Sequence, residues 1–223
     1  MNKKRLIIVG IIILFASILI KLIFCALKNI KIDEFKPAAV IFVVDASASN
    51  QNKLDEEIKY LKSICSILDP EDAIKILRVS EKSYLIYEGA PTDGSGISKA
   101  LNQFTQYDSK EYGTAYGEAI KKAFGHCLTM KKEGYTPSVV VIGDLENEGD
   151  ASKQIDWETL PQNVKNVKKY IPEISMMFAY ADPEKLDYVK TKLNPVLGEK
   201  KLIIVNEITV NKSQRRLLEA IGR

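Results

Sequence analysis

The sequence predicts an α/β fold: a doubly wound, mostly parallel six-stranded sheet with one antiparallel edge strand, plus an N-terminal transmembrane helix. Three observations carry this expectation. Short continuous apolar runs rich in β-branched residues alternate with longer stretches whose apolar residues recur at helical spacing. Two of those runs, 38–44 and 139–142, are apolar at every position, as strands covered on both faces of a parallel sheet must be. Two others, Ala73–Val79 and Ser83–Tyr87, are separated by only three residues, which is too short for a crossover helix and predicts an antiparallel pair.

The elements follow in order. The run AAVIFVV (38–44) ends in Asp45. Leu54, Ile58, Leu61, Ile64, Cys65 and Leu68 then mark an amphipathic helix, with Asp55, Glu56, Glu57 and Lys62 expected on its other faces, and Asp69-Pro70 stops it. After the antiparallel pair, residues 91–96 (PTDGSG) read as a loop, and Ile97, Leu101 and Phe104 mark a short helix. Gly113-Thr114 opens a longer one, with Ala119, Ile120, Ala123, Phe124, Cys127 and Leu128 on a broad apolar face. The second buried run ends at Gly143-Asp144, and a long acidic loop runs from Leu145 to Gln162. A helix at 163–170, strand at 174–180, helix at 183–193, strand at 202–205 and helix at 212–221 complete the pattern. This regular alternation is what a sheet with helices on both faces requires.

Residues 6–27 (LIIVGIIILFASILIKLIFCAL) are apolar except for Lys21. As a helix they would span roughly 33 Å, enough to cross a hydrocarbon core, and Lys21 could reach the interface by its stem. The expected organisation is a basic flank at 1–5, a transmembrane helix at 6–27, a linker at 28–36 and a globular domain at 37–223. A cleaved signal peptide, a lipoprotein signal ending at Cys25 and a buried core helix compete with the anchor. The first two need small residues where Phe24 and its neighbours stand. Lys3, Lys4 and Arg5 favour a cytoplasmic N-terminus, so the expectation is a single-pass protein whose domain is extracytoplasmic.

Charge excludes one class of partner. Removing the four bases of residues 1–27 from the total of 32 leaves 28, against 29 acids. A near-neutral domain lacks the basic excess that phosphate neutralisation demands, so no nucleic acid is expected. The three cysteines show no metal-ligand spacing, and Cys65 and Cys127 are expected in the core. The single histidine, His126, leaves no Ser/His/Asp or Cys/His arrangement.

In doubly wound sheets, sites form where strand carboxyl ends meet a topological switch point. Two predicted central strands end in carboxylates, Asp45 and Asp144, and Asp45 opens the string Asp45-Ala46-Ser47-Ala48-Ser49. With Thr114, the set is two carboxylates and three hydroxyls from three separate loops. A hard divalent cation wants such oxygen ligands. A mostly neutral ligand shell leaves the ion electron-poor and able to accept one further carboxylate from outside.

Asp45-x-Ser47-x-Ser49, then Gly113-Thr114, then Asp144 after an apolar strand, resembles the metal-ion-dependent adhesion site of von Willebrand factor A domains. The resemblance covers residues 37–220, and Gly113-Thr114-x-x-Gly117-x-Ala119 is similar to the family's threonine loop. It implies that Ser47, Ser49 and Thr114 are direct ligands and that Asp45 and Asp144 act directly or through water. The implied cofactor is Mg²⁺, with Mn²⁺ or Ca²⁺ as alternatives, and the implied partner is a protein that supplies a carboxylate to the metal. One departure stands out: Gly143-Asp144-Leu145 replaces the family's Thr-Asp-Gly. The acids beyond it, Glu146, Glu148 and Asp150, could repel an acidic ligand or recruit a second cation.

Plainer readings exist for each residue. Asp45 and Asp144 could cap the helices that follow, and Thr114 could be a helix N-cap. Trp157 is expected to cover the core, Asp93-Gly94-Ser95-Gly96 to be a turn, and Lys165, Lys168 and Lys169 to be a solvated face. The function expected is a membrane-anchored, divalent-cation-dependent protein-binding module, not an enzyme. The alternatives are a Mg²⁺-dependent phosphoryl-transfer enzyme using Asp45 and Asp144, and a metal-independent structural scaffold. The first alternative has Ser47 where many α/β phosphotransferases place a second carboxylate.

Overall fold

The computed structural model describes residues 36–104 and 113–223, with Ile20 and Lys21. The chain divides into two compact units, Met1–Phe35 and Lys36–Arg223, and the architecture that follows is that of the second. The predicted membrane-spanning run 6–27 lies outside the described residues apart from Ile20 and Lys21. Among the described residues, no helix is long and apolar enough to cross a membrane.

Strand β1 (Ala38–Asp45) is followed by helix α1 (Leu54–Cys65), then by β2 (Ala73–Val79) and β3 (Ser83–Gly89). Helices α2 (Gly94–Leu101) and α3 (Tyr116–Lys132) precede β4 (Thr136–Ile142). Then come α4 (Leu160–Lys168), β5 (Ser175–Ala179), α5 (Pro183–Leu197), β6 (Leu202–Ile204) and α6 (Val210–Ala220). The six strands form one sheet in the order β3-β2-β1-β4-β5-β6. Only β2 and β3 are antiparallel, with β3 at the edge.

The continuous apolar runs became the two central strands, as the sequence requires. All eight residues of β1 are buried. Ala39, Ile41 and Val43 enter a core under α3, α4 and α5, while Ala38, Val40, Phe42 and Val44 enter the core under α1, α2 and α6. A strand alternates its side chains between faces, so one apolar run feeds both layers. Cys127 is buried in the first core and Cys65 in the second, so the sheet stands between them, and both are free thiols. Burial pushes the Cys65 thiol up to about 12 and that of Cys127 up as well.

Three local expectations are revised. Residues 94–96 are not a turn but the first residues of α2, because the Asp93 carboxylate caps that helix by accepting from Gly96 N at 2.9 Å. The acidic loop is shorter than expected, since it contains a 3₁₀ turn at Ala151–Lys153 and ends where α4 begins at Leu160. Glu57 is fully buried, not on a solvated face. It lies three residues after Leu54 and four before Leu61, which puts it on the buried stripe. Trp157 packs against the core as expected and stacks on Tyr188, with ring centroids 5.8 Å apart.

Helix α1, which joins β1 to β2, and helix α4, which joins β4 to β5, cover opposite faces. The chain therefore leaves adjacent strands β1 and β4 in opposite directions, and a crevice opens at their carboxyl ends. The register pairs Val44 with Ile142, so Asp45 and Gly143-Asp144 emerge side by side.

Candidate metal centre

Asp45 closes β1 with its side chain fully buried. Both carboxylate oxygens are fixed. Oδ1 accepts from Ser47 N at 2.7 Å, and Oδ2 accepts from the Tyr116 hydroxyl at 2.9 Å. The first bond turns the chain so that Ser47 and Ser49 present their hydroxyls together, Oγ to Oγ 3.0 Å. Ser47 is buried, whereas Ser49 is exposed. Burial is the main cause that pushes the Asp45 carboxyl up to about 7. The nearby Asp144 charge adds to the rise, against the hydrogen bonds from Ser47 and Tyr116. None of these principal influences is a cation.

Asp144 is held in the same way, with its Oδ1 accepting from Glu146 N at 2.9 Å. Gly143 before it has φ +140°, and a Cβ there would come within 2.1 Å of the Tyr116 hydroxyl and 2.5 Å of the Asp45 Cβ. That approach requires glycine. Leu145 after it takes φ +65°, a left-handed conformation that favours glycine. Its side chain is buried in the core, which holds the strained backbone in place. The loop therefore keeps a glycine-like turn with a leucine in it.

Thr114 is delivered by the loop before α3. Its backbone N–H donates to the Glu148 carbonyl at 3.0 Å, and that of Ala115 donates to the Ser80 carbonyl at 2.7 Å. The capping readings fail here. The residue at the N-cap position of α3 is Ala115, and the Thr114 Oγ1 atom is buried with no hydrogen-bond partner. Asp45 and Asp144 lie far along the chain from the N-caps of the next helices, Lys53 and Thr159.

The structure thus brings Asp45, Ser47, Ser49 and Asp144 to one crevice, with Thr114 two residues before the tyrosine that bonds Asp45. Tyr116 escaped the sequence reading; its signal is the glycine at 143, which makes room for the hydroxyl. Asn50 and Glu57, behind the Asp45–Ser49 loop, were also missed. The donors fit a hard divalent cation. A buried carboxylate beside a second carboxylate favours a positive charge nearby, and a buried hydroxyl without a hydrogen bond favours a partner. Among the described residues, no cluster of three or more His, Cys, Asp and Glu side chains could hold a metal. The acids at the rim are largely neutralised: Lys53 meets Asp182, Lys153 meets Asp150 and Lys185 meets Glu146.

Residues 40–147 match the family model of the von Willebrand factor type A domain. This is a von Willebrand factor A fold. The fold is shared with BatB from Bacteroides thetaiotaomicron (15% identity, 83% of this chain and 100% of that one, TM-score 0.58). It is shared with an aerotolerance-related membrane protein from Bacteroides fragilis NCTC 9343 (16% identity, 83% and 98%, TM-score 0.57). A manganese-loaded Plasmodium vivax TRAP protein also has it (10% identity, 83% and 74%, TM-score 0.58). No curated protein sequence matches the chain. The matched segment begins within β1 and ends just beyond Asp144, so it contains every candidate ligand.

Proposed function

We propose that the chain is a membrane-anchored protein-binding module whose domain, residues 37–223, grips its partner through a divalent cation. Ser47, Ser49 and Thr114 would hold the ion through their hydroxyls, with Asp45 and Asp144 acting directly or through water. Mg²⁺ is the expected ion, with Mn²⁺ and Ca²⁺ as alternatives. When bound, it would supply a Lewis-acidic position able to accept a partner's carboxylate oxygen. The chain's own residues do the rest. Tyr116 and Ser47 N fix both oxygens of Asp45. Gly143 lets the two strand ends close together.

The observation that carries this reading is the pairing of a fully buried Asp45, lacking a basic partner among its main influences, with a buried and unsatisfied Thr114 hydroxyl. The structurally similar manganese-loaded TRAP protein agrees with it. The rim lysines offset part of the repulsion expected of Glu146, Glu148 and Asp150 toward an acidic partner. Membrane attachment rests on the apolar run 6–27, with residues 28–36 as linker and the domain outside the cytoplasm. The Bacteroides fragilis protein that shares the fold is an aerotolerance-related membrane protein, in keeping with this.

The test is thermal unfolding of the full chain with Mg²⁺ and Mn²⁺, followed by capture of partners with and without the ion. A cation at about 100 times its Kd should stabilise the fold by about 2.7 kcal/mol. No shift at millimolar cation would refute the site. A C-terminal reporter active only in the cytoplasm should stay silent, and strong activity would reverse the orientation.

A further inference from the structure

Behind the candidate ligands, two fully buried side chains each leave one oxygen without a hydrogen-bond partner: Asn50 Oδ1 and Glu57 Oε1. The two residues already meet through their other atoms. Asn50 Nδ2 donates to Glu57 Oε2 at 2.7 Å and reaches the Asp45 carbonyl at 3.4 Å. A carboxamide carries a donor and an acceptor side by side, and so does a neutral carboxylic acid. Set edge to edge, they close a ring of two hydrogen bonds. An ionised Glu57 offers acceptors only, and would leave both orphan oxygens buried without a proton between them.

We propose that Glu57 is a neutral carboxylic acid whose Oε1–H donates to Asn50 Oδ1, and that this closed pair is the positioning device for the Asp45–Ser49 loop. The positioning half rests on the cation-site reading above; the protonation half does not. The charged groups around Glu57 agree. Asp45 at the end of β1 and Asp144 after β4 both oppose a third negative charge. Lys53 favours one, but it is half exposed and engaged with Asp182 at 3.2 Å. Burial is the largest influence, and together they push Glu57 up to about 8.

The mechanical link is short. Asn50 directly follows Ser49, and its backbone N–H donates to the Ser47 carbonyl at 3.3 Å. Gln51 Nε2 grips the same carbonyl at 3.2 Å. Anchoring Asn50 to α1 through Glu57 therefore sets where the two serine hydroxyls stand. A neutral Glu57 also adds no third negative charge behind the carboxyl groups of Asp45 and Asp144.

Infrared difference spectra of the full chain against Glu57→Gln test the proton. Near neutral pH the wild type should show the carbonyl stretch of a neutral carboxylic acid that the variant lacks, and it should convert to a carboxylate band in alkali. A carboxylate band at neutral pH overturns the proposal. Mg²⁺ titration tests the positioning. Glu57→Ala opens the ring and should weaken binding about 10- to 100-fold, the usual effect of removing a residue that orients a ligand. Glu57→Gln can donate and accept as the acid does, and should recover wild-type binding. If Glu57→Gln binds as weakly as Glu57→Ala, the charge of Glu57 matters and the proposal fails. The infrared arm uses no metal and no unstable variant. A chain that binds no Mg²⁺ thus refutes the cation site and the positioning role, while the proton stands or falls on its own band.

Discussion

Strand β1 meets a buried carboxylate at each end of its path through the sheet, Asp72 from the turn before β2 and its own Asp45, and the two are satisfied in opposite ways. At its start, Asp72 accepts from Ala38 N at 2.7 Å, from Asp69 N at 2.8 Å and from Arg223 Nη1 at 2.7 Å, with the other guanidinium nitrogen on its second oxygen. At its finish, Asp45 accepts two hydrogen bonds but faces Asp144 and has no cation among its main influences. A buried charge is tolerated when an opposite charge sits on it. The Asp72 end brings its counter-ion within the chain, which makes it architecture. At the Asp45 end the proposed cation would take that place.

If that contrast is right, the largest effect belongs to the complete pair. Asp72→Ala should remove the buried acceptor of Ala38 N and Asp69 N and the buried counter-ion of Arg223, which keeps its ion pair with Asp69, and destabilise the domain by about 3–5 kcal/mol in denaturant unfolding, with or without metal. A loss below about 1 kcal/mol would remove the architectural half of the contrast. The next effect belongs to the incomplete end. Ser47→Ala with Ser49→Ala should erase the cation-induced stabilisation, about 2.7 kcal/mol at a hundredfold excess over Kd, and with it partner capture. Retained capture would show that the ligands lie elsewhere.

A smaller effect separates charge from shape at Asp45. Its carboxyl is raised from 3.8 to about 7, so the folded chain holds a proton more tightly than the unfolded one. The contribution of Asp45 to metal-free stability is therefore fully present below about pH 4 and is lost as pH rises through about 7, and that of Glu57 follows the same course up to about 8. Asp45→Asn should raise metal-free stability at alkaline pH by about 1–2 kcal/mol, flatten that slope and abolish the response to Mg²⁺. An unchanged pH profile would mean that Asp45 is not the group under strain.

The sequence made some of this visible and hid the rest for a physical reason. The central strands were legible because a segment covered on both faces must be apolar throughout, and 38–44 is. The edge pair was legible because so few residues separate β2 from β3. The convergence of Asp45 and Asp144 was legible because strand ends of a doubly wound sheet meet, and the two residues stand at two of them. What stayed hidden depends on partners distant in the chain. Nothing near Tyr116 announces a bond to Asp45, 71 residues away. Glu57 reads as a surface acid until Asn50 is folded over it. The left-handed turn at Leu145 is carried by burial of its side chain, which no local rule for that conformation contains.

The smallest stability effect gives the sharpest test of what kind of site this is. Thr114 Oγ1 makes no hydrogen bond, so the folded chain gains nothing from it and bears the cost of its desolvation. Valine has nearly the same shape without the hydroxyl. Thr114→Val should therefore leave metal-free stability unchanged or raise it by up to about 1 kcal/mol, whereas an ordinary buried threonine with a bonded hydroxyl loses about that much. The same variant should lose cation-induced stabilisation and partner capture. A group that the fold would be better without, and that function cannot lose, is retained for a ligand. If Thr114→Val instead destabilises the metal-free chain and leaves its response to Mg²⁺ intact, the hydroxyl serves the fold, and the third loop does not contribute to the site.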